Sequence, residues 1–240
     1  MGRINFNKVM THAVTAFAAT LMAAMLMAGW SRAVAGSEST DAAAKADTAA
    51  AVHRVYLSAQ LAAEAREQHD PVLMVAALRL LERAGGTSVP MTPEITGGEP
   101  DASGPSPAKI EHTPEPLRAE ARALASGNAK VLAIIDEPLP RGLRGAGGGP
   151  KFHRQIIARG AHAKFKADFR GQEPAEVTIV GSHTADLNLI ILDEHNNIVC
   201  QGVTPYDFEF CRWLPPQNAS FWLVVENRGN WTNQFSIYTN

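Results

Sequence analysis

Between Asp186 and Asp207 the chain carries the side chains best suited to hold a ligand. Asp186, Asn188 and Asp193 lie along and at the ends of one alternating stretch, DLNLIILD, and Asp207 follows a loop later. Carboxylate and amide oxygens of this kind suit calcium, a hard cation that accepts flexible oxygen coordination. No compact DxDxDG loop accompanies them, so the expected affinity is that of a weak extracellular module. Apart from calcium, no cofactor is implied. If His183, Asp186 and Asp207 instead meet around a pocket, they make a carboxylate and histidine site for a hydrolase.

A second candidate chemistry is aromatic. Trp213, Trp222 and Trp231 recur every nine residues, near Tyr206, Phe208 and Tyr238. An indole plane on a sheet face matches the apolar face of a pyranose ring. Trp222 is the strongest of the three, because it points opposite to Phe221, Leu223 and Val225. Catalytic motifs are missing. The eight histidines are scattered, none at HExxH or HxxxH spacing. Gly181-Ser182-His183 lacks the second glycine and the following helix of a nucleophile elbow. Asp193-Glu194 falls in a turn, where paired carboxylates are solvated. The glycine run 145–149 has neither the preceding strand nor the following helix of a phosphate loop. No catalytic residue is assigned.

These residues are positioned by strands. Leu187, Leu189 and Ile191 alternate with Asp186, Asn188 and Ile190, the period of a half-buried strand. Residues 193–197 are a polar turn, and Ile198-Val199-Cys200 resumes in the opposite sense as a hairpin. Phe221, Leu223 and Val225 mark another strand, and Phe235, Ile237 and Thr239 a last one. With Lys151–Ile157, Ala161–Phe169, Ala175–Gly181 and Phe208–Trp213, about eight strands follow one another at β-sandwich spacing. Cys200 and Cys211 end two neighbouring strands. A disulfide between them closes a loop of about 12 residues, worth about 3 kcal/mol in the chain-entropy model.

At these residues the chain resembles the bacterial pre-peptidase C-terminal domain family, β-sandwich modules appended to secreted proteases. The likeness rests on Asp186-Leu187-Asn188-Leu189-Ile190-Ile191-Leu192-Asp193, on Asn197-Ile198-Val199-Cys200, and on the ending with Val225, Asn227, Gly229, Asn233 and Phe235. It covers roughly 152–240 and speaks to fold more than to activity. Asn188 stands where the family pattern has a second acid, which weakens any cation site carried over.

From its start, the chain reads as follows. Residues 1–35 form a secretory signal peptide: Arg3 and Lys8 are its basic end, Ala13–Gly29 its apolar run, Ala33-Val34-Ala35 its cleavage site. Cleavage takes away three basic residues and no acids, leaving 19 basic against 24 acidic residues, a formal charge of −5. That argues against nucleic acid or an anionic membrane surface as partner, and against stable membrane insertion once the leader is gone. Residues 36–50 are expected to be disordered. The helical region spans 51–138. Val52, Val55, Tyr56, Ala59, Ala62 and Ala63 give one helical stripe, and Asp70-Pro71 caps a second helix that ends at Gly85-Gly86. Residues 87–112, with five prolines and three glycines, are expected to be a disordered insert. Thr113-Pro114 opens a third helix and Asn128 caps a fourth, stopped by Pro138. A Gly/Pro linker, 139–150, leads to the sandwich over 151–240.

The fold class expected is therefore multidomain α and β: a helical hairpin or small bundle, then an antiparallel, jelly-roll-like sandwich. The function expected is an exported, secreted or periplasmic, non-enzymatic module binding a glycan, a cation or an envelope protein. The alternative is a secreted hydrolase, or an accessory domain of one.

Overall fold

The computed structural model describes residues 47–103, 111–139, 149–182 and 186–240. The expected leader and its cleavage site lie outside the described residues. Lys45–Asn240 form one compact unit.

Among the described residues, ten strands form two five-stranded sheets. Sheet A runs β1 (Thr87–Ser88), β3 (Lys151–Ile157), β10 (Asn233–Thr239), β5 (Ala175–Val180), β8 (Phe208–Trp213). Sheet B runs β2 (Glu94–Glu99), β4 (Arg159–Phe169), β9 (Ala219–Asn227), β6 (Leu187–Leu192), β7 (Ile198–Gly202). From β3 onward the antiparallel pairs nest: β3 with β10, β4 with β9, β5 with β8, β6 with β7. That is the doubled-over ribbon of a jelly roll. All eight strands expected from alternation are present, because each sends one face into the space between the sheets. Phe165, Ile179, Leu189, Leu223, Phe235 and Ile237 are among the residues that meet there. The Cys200–Cys211 disulfide, with a Cα–Cα distance of 5.8 Å, joins β7 to β8, the edge strands of the two sheets.

The helices are α1 (residues 47–68), α2 (Pro71–Ala84), α3 (Pro114–Leu124) and α4 (Ala129–Asp136). Their ends obey local chemistry. The Asp70 carboxylate accepts from the amides of Val72 (2.7 Å) and Leu73 (3.3 Å), and Pro71 begins α2 where its missing N–H costs nothing. Asn128 Oδ1 accepts from Val131 N at the start of α4. Val52, Val55, Ala59, Leu78 and Leu117 are fully buried, and the same core takes in Val180, Phe208 and Tyr238 of sheet A. The helices therefore cover the outer face of sheet A. A helical region joined to the sandwich only through a linker gives way to one shared core, because sheet A sends large aromatics outward as well as inward.

Two further expectations change. Residues 47–50, expected to be disordered, are helical, and Ala49 is buried. The insert 87–112 supplies two edge strands: β1 runs parallel to β3, and β2 pairs antiparallel with β4. Every side chain of β2 is exposed, so it joins mainly through its backbone and leaves no apolar period to read. Asp101 further ties this segment down by accepting from Thr232 N and Oγ1. Of the linker, residues 140–148 lie outside the described residues. Gly149 sits at φ +65° with its α-carbon pressed on the loop after α2. A Cβ there would stand 2.8 Å from Gly86 N, so only glycine fits.

Candidate functional site

With sheet A covered, the outward side chains of sheet B form the open sheet face. Alternation puts Ala163, Phe165, Leu223, Leu189 and Ile191 inward, and Lys164, Lys166, Trp222, Val224, Ile190 and Leu192 outward. Register then builds rows across the strands. Lys166, Trp222, Leu192 and Ile198 lie in one row, and Lys164, Val224, Ile190 and Gln201 in the next. The result is an apolar strip with an indole at its centre and lysines along one flank. Lys164 Nζ lies 4.1 Å from the Trp222 ring centroid and Lys166 Nζ 5.7 Å, both as cation–π contacts. Ile198, at the edge, is 60% exposed.

Beyond this strip the face ends in a charged cleft of about 240 Å³ between β4 and the β9–β10 turn. Its groups are mutually engaged. Glu226 holds His162 Nδ1 at 3.2 Å and the Asn188 amide at 3.5 Å, and Arg159 pairs with Glu99 at 3.3 Å. Of the three tryptophans singled out by spacing, Trp222 alone stands on this face. Trp213 is edge-on to Phe169 (4.8 Å) and Phe221 (5.2 Å), packed against the core between the sheets. Trp231 lies in the β9–β10 turn, half-buried, its carbonyl accepting from Asn227 Nδ2. A nine-residue interval crosses a turn each time, and each reversal resets which face a residue takes.

The four oxygen residues proposed for calcium do not converge. Asp186 and Asp193 bracket β6, seven residues apart, which is about 23 Å in extended chain. Asn188 points to the open face and bonds Glu226. Asp193 is occupied by its own turn: it accepts from the amides of His195 and Asn197 and from Asn197 Nδ2, all at 2.8 Å. The Asn197 side chain above all holds its carboxyl below the usual value. Asp207 is buried at the other end, its carbonyl accepting from Gly181 N at 2.7 Å. His183 is outside the described residues. Among the described residues no three His, Cys, Asp or Glu gather to hold a metal.

Near Asp186 lies a carboxylate that sequence reading passed over, Glu209 of β8. Burial raises its pKa, the hydrogen bonds from Thr204 N and Oγ1 oppose that, and the neighbouring Asp186 charge adds to it. The Glu209 carboxylate packs over Gly202, where a Cβ would come within 2.3 Å of Glu209 Oε2. Asp186 is likewise raised by burial, against the attraction of Arg228.

A second pair also went unread: Ser58 Oγ lies 3.0 Å from His112 Nε2, buried among the helices. Its geometry is that of a structural pair. Ser58 donates its one proton to Ala77 O at 2.7 Å, so His112 must donate from Nε2 and cannot act there as base. The pair pins the loop before α3 to α1 and α2. A cleft of about 530 Å³ beside α2, α3 and α4 is similarly spoken for. Arg79 and Arg118 in it bond the carbonyls of Ile134 and Ile135 and share Glu82.

No protein family matches the chain, and no curated protein matches it either. Solved structures match part of it. PirA aligns at 17% identity over 37% of this chain and 93% of its own, with a TM-score of 0.27. The pre-peptidase C-terminal domain of collagenase from Bacillus anthracis aligns at 8% identity over 38% of this chain and 76% of its own, TM-score 0.23. PliG of Aeromonas hydrophila, a periplasmic inhibitor of g-type lysozyme, aligns at 11% identity over 33% of this chain and 86% of its own, TM-score 0.21. At these scores the likenesses carry no argument about function.

Proposed function

We propose that the chain is a non-enzymatic binding module that acts outside the cytoplasm and holds a glycan on the outer face of sheet B. The observation that carries this reading is Trp222, an indole held half-exposed in the middle of a sheet face that the helices leave uncovered. A flat, rigid, amphipathic ring loses little freedom when a sugar ring stacks on it. Ile190, Leu192 and Val224 extend the apolar floor, and the charged cleft beside it offers hydrogen-bonding groups to hydroxyls. The disulfide is compatible with an oxidising compartment. Among the described residues no helix is long and apolar enough to cross a membrane.

The test is affinity electrophoresis and calorimetry of the purified protein against a panel of soluble neutral and charged polysaccharides. At least one should retard the protein and bind it measurably, and Trp222→Ala should abolish that binding while Trp213→Phe preserves it. Binding that survives Trp222→Ala, or a panel in which nothing binds, would overturn the reading.

A further inference from the structure

We infer that the saccharide held on sheet B is anionic, carrying carboxylates as a uronic acid does, and that Lys164 and Lys166 receive its charge. This rests on the glycan reading above and narrows it.

The two lysines stand at alternate positions of β4, on the same face and about 7 Å apart along the strand. Both ammonium groups lie over the indole of Trp222. Neither forms an ion pair among the described residues, although carboxylates are near. Glu94 sits directly across from Lys164 in the β2–β4 register without closing on it. Asp168, the next outward residue of β4, accepts from Ser220 Oγ instead, and Glu226 is taken by His162 and Asn188. Elsewhere on this unit several arginines are paired, Arg54 with Asp47, Arg66 with Glu120, Arg122 with Asp136 and Arg212 with Glu176. Two ammonium groups without an ion pair thus stand side by side at the flank of an apolar strip, held only against the indole face.

Ligand binding turns that arrangement into a preference. A ring stacked on Trp222 strips water from both ammonium groups, and a desolvated charge costs free energy unless it gains a partner. A neutral sugar supplies hydroxyls only. A carboxylate on the stacked ring, or on the next one, supplies charge-assisted hydrogen bonds at a reach that two lysines on one strand can span. Nucleic acid and anionic membranes present phosphate in long arrays and call for a broad basic surface. Here Glu94, Asp168 and Glu226 lie on the same face, and the chain as a whole is acidic, with a formal charge of −2.

The experiment compares the purified protein's affinity for oligogalacturonate, for its methyl-esterified form, for poly-glutamate and for single-stranded DNA, at low and at high salt. The expected order places oligogalacturonate first, about tenfold tighter than the ester, with the difference shrinking as salt screens it. The Lys164→Ala, Lys166→Ala double variant should lose the preference and bind the acid and the ester alike. Trp222→Ala should lose both. Ester and acid binding equally to the wild-type protein would overturn this inference and leave the glycan reading standing. Poly-glutamate or DNA binding as tightly as oligogalacturonate would overturn it in favour of a polyanion site without sugar selectivity. If neither saccharide nor any in the wider panel bound, both readings would fall together. Unchanged circular dichroism and a cooperative melt well above the assay temperature separate lost binding from lost folding in each variant.

Discussion

The two sheets share strand number, nesting and an inter-sheet core, yet their outer faces have opposite fates. Sheet A sends out Val180, Phe208, Phe210, Phe152 and Tyr238, and the helices bury that face around rings such as Tyr56, stacked 5.3 Å from Phe210. Sheet B sends out lysines, short aliphatics and one indole, and no described element covers them. The difference lies in a few side chains per strand. Large aromatics on a second face expose too much apolar area to stay in water, and four amphipathic helices in the same chain answer them. A mixed face with charges at its flank has no such demand, so it stays open and available to a ligand.

The comparison breaks most readily at its covered side. Phe208→Ala removes a ring from the helix–sheet core, where it is 5% exposed, and should cost about 3–5 kcal/mol. On the open side, Trp222→Ala should cost only about 1 kcal/mol. Urea titration of the two variants reads the contrast directly, and equal losses would mean the two faces are not distinct. The disulfide comes next. It closes a short loop between the sheet edges, so replacing Cys200 and Cys211 by serine should lower stability by about 3 kcal/mol without changing sheet content by circular dichroism.

A smaller effect sharpens the comparison at the end of the sandwich. The folded protein holds Glu209 above its ordinary pKa, so its ionised form is disfavoured there. The stability associated with this group is fully present below the unfolded carboxyl value. It is lost as pH rises through the raised value. Glu209→Gln keeps an acceptor for Thr204 and removes the charge. Its melting temperature should exceed the wild type's at pH 8, with the gap closing as pH falls below about 4. A gap that widened toward acid pH would contradict the sign.

Much of this was legible in residue order. Alternation in Leu187–Ile191 and Phe221–Val225, turn residues between them and the cap pairs Asp70-Pro71 and Thr113-Pro114 act over a few residues, and so do the forces they report. The same is true of Cys200 and Cys211 at the ends of adjoining strands, and of Trp222, whose outward orientation follows from its neighbours. Lys164 and Lys166 are legible in the same way, as the outward positions of HAKFKADF.

What distant parts of the chain do to one another was decided only by the tertiary structure. Strands β1 and β2 carry no apolar pattern, since an edge strand is held by backbone hydrogen bonds that any sequence can make. The packing of Trp213 against the core between the sheets and the meeting of Ser58 with His112 depend on which strands and helices become neighbours. So does the choice of sheet A for cover and sheet B for exposure. Periodicity tells a residue's side within its own element. Which element lies across from that side is settled by packing the whole chain, because burial is a property of the assembled surface and not of any local stretch.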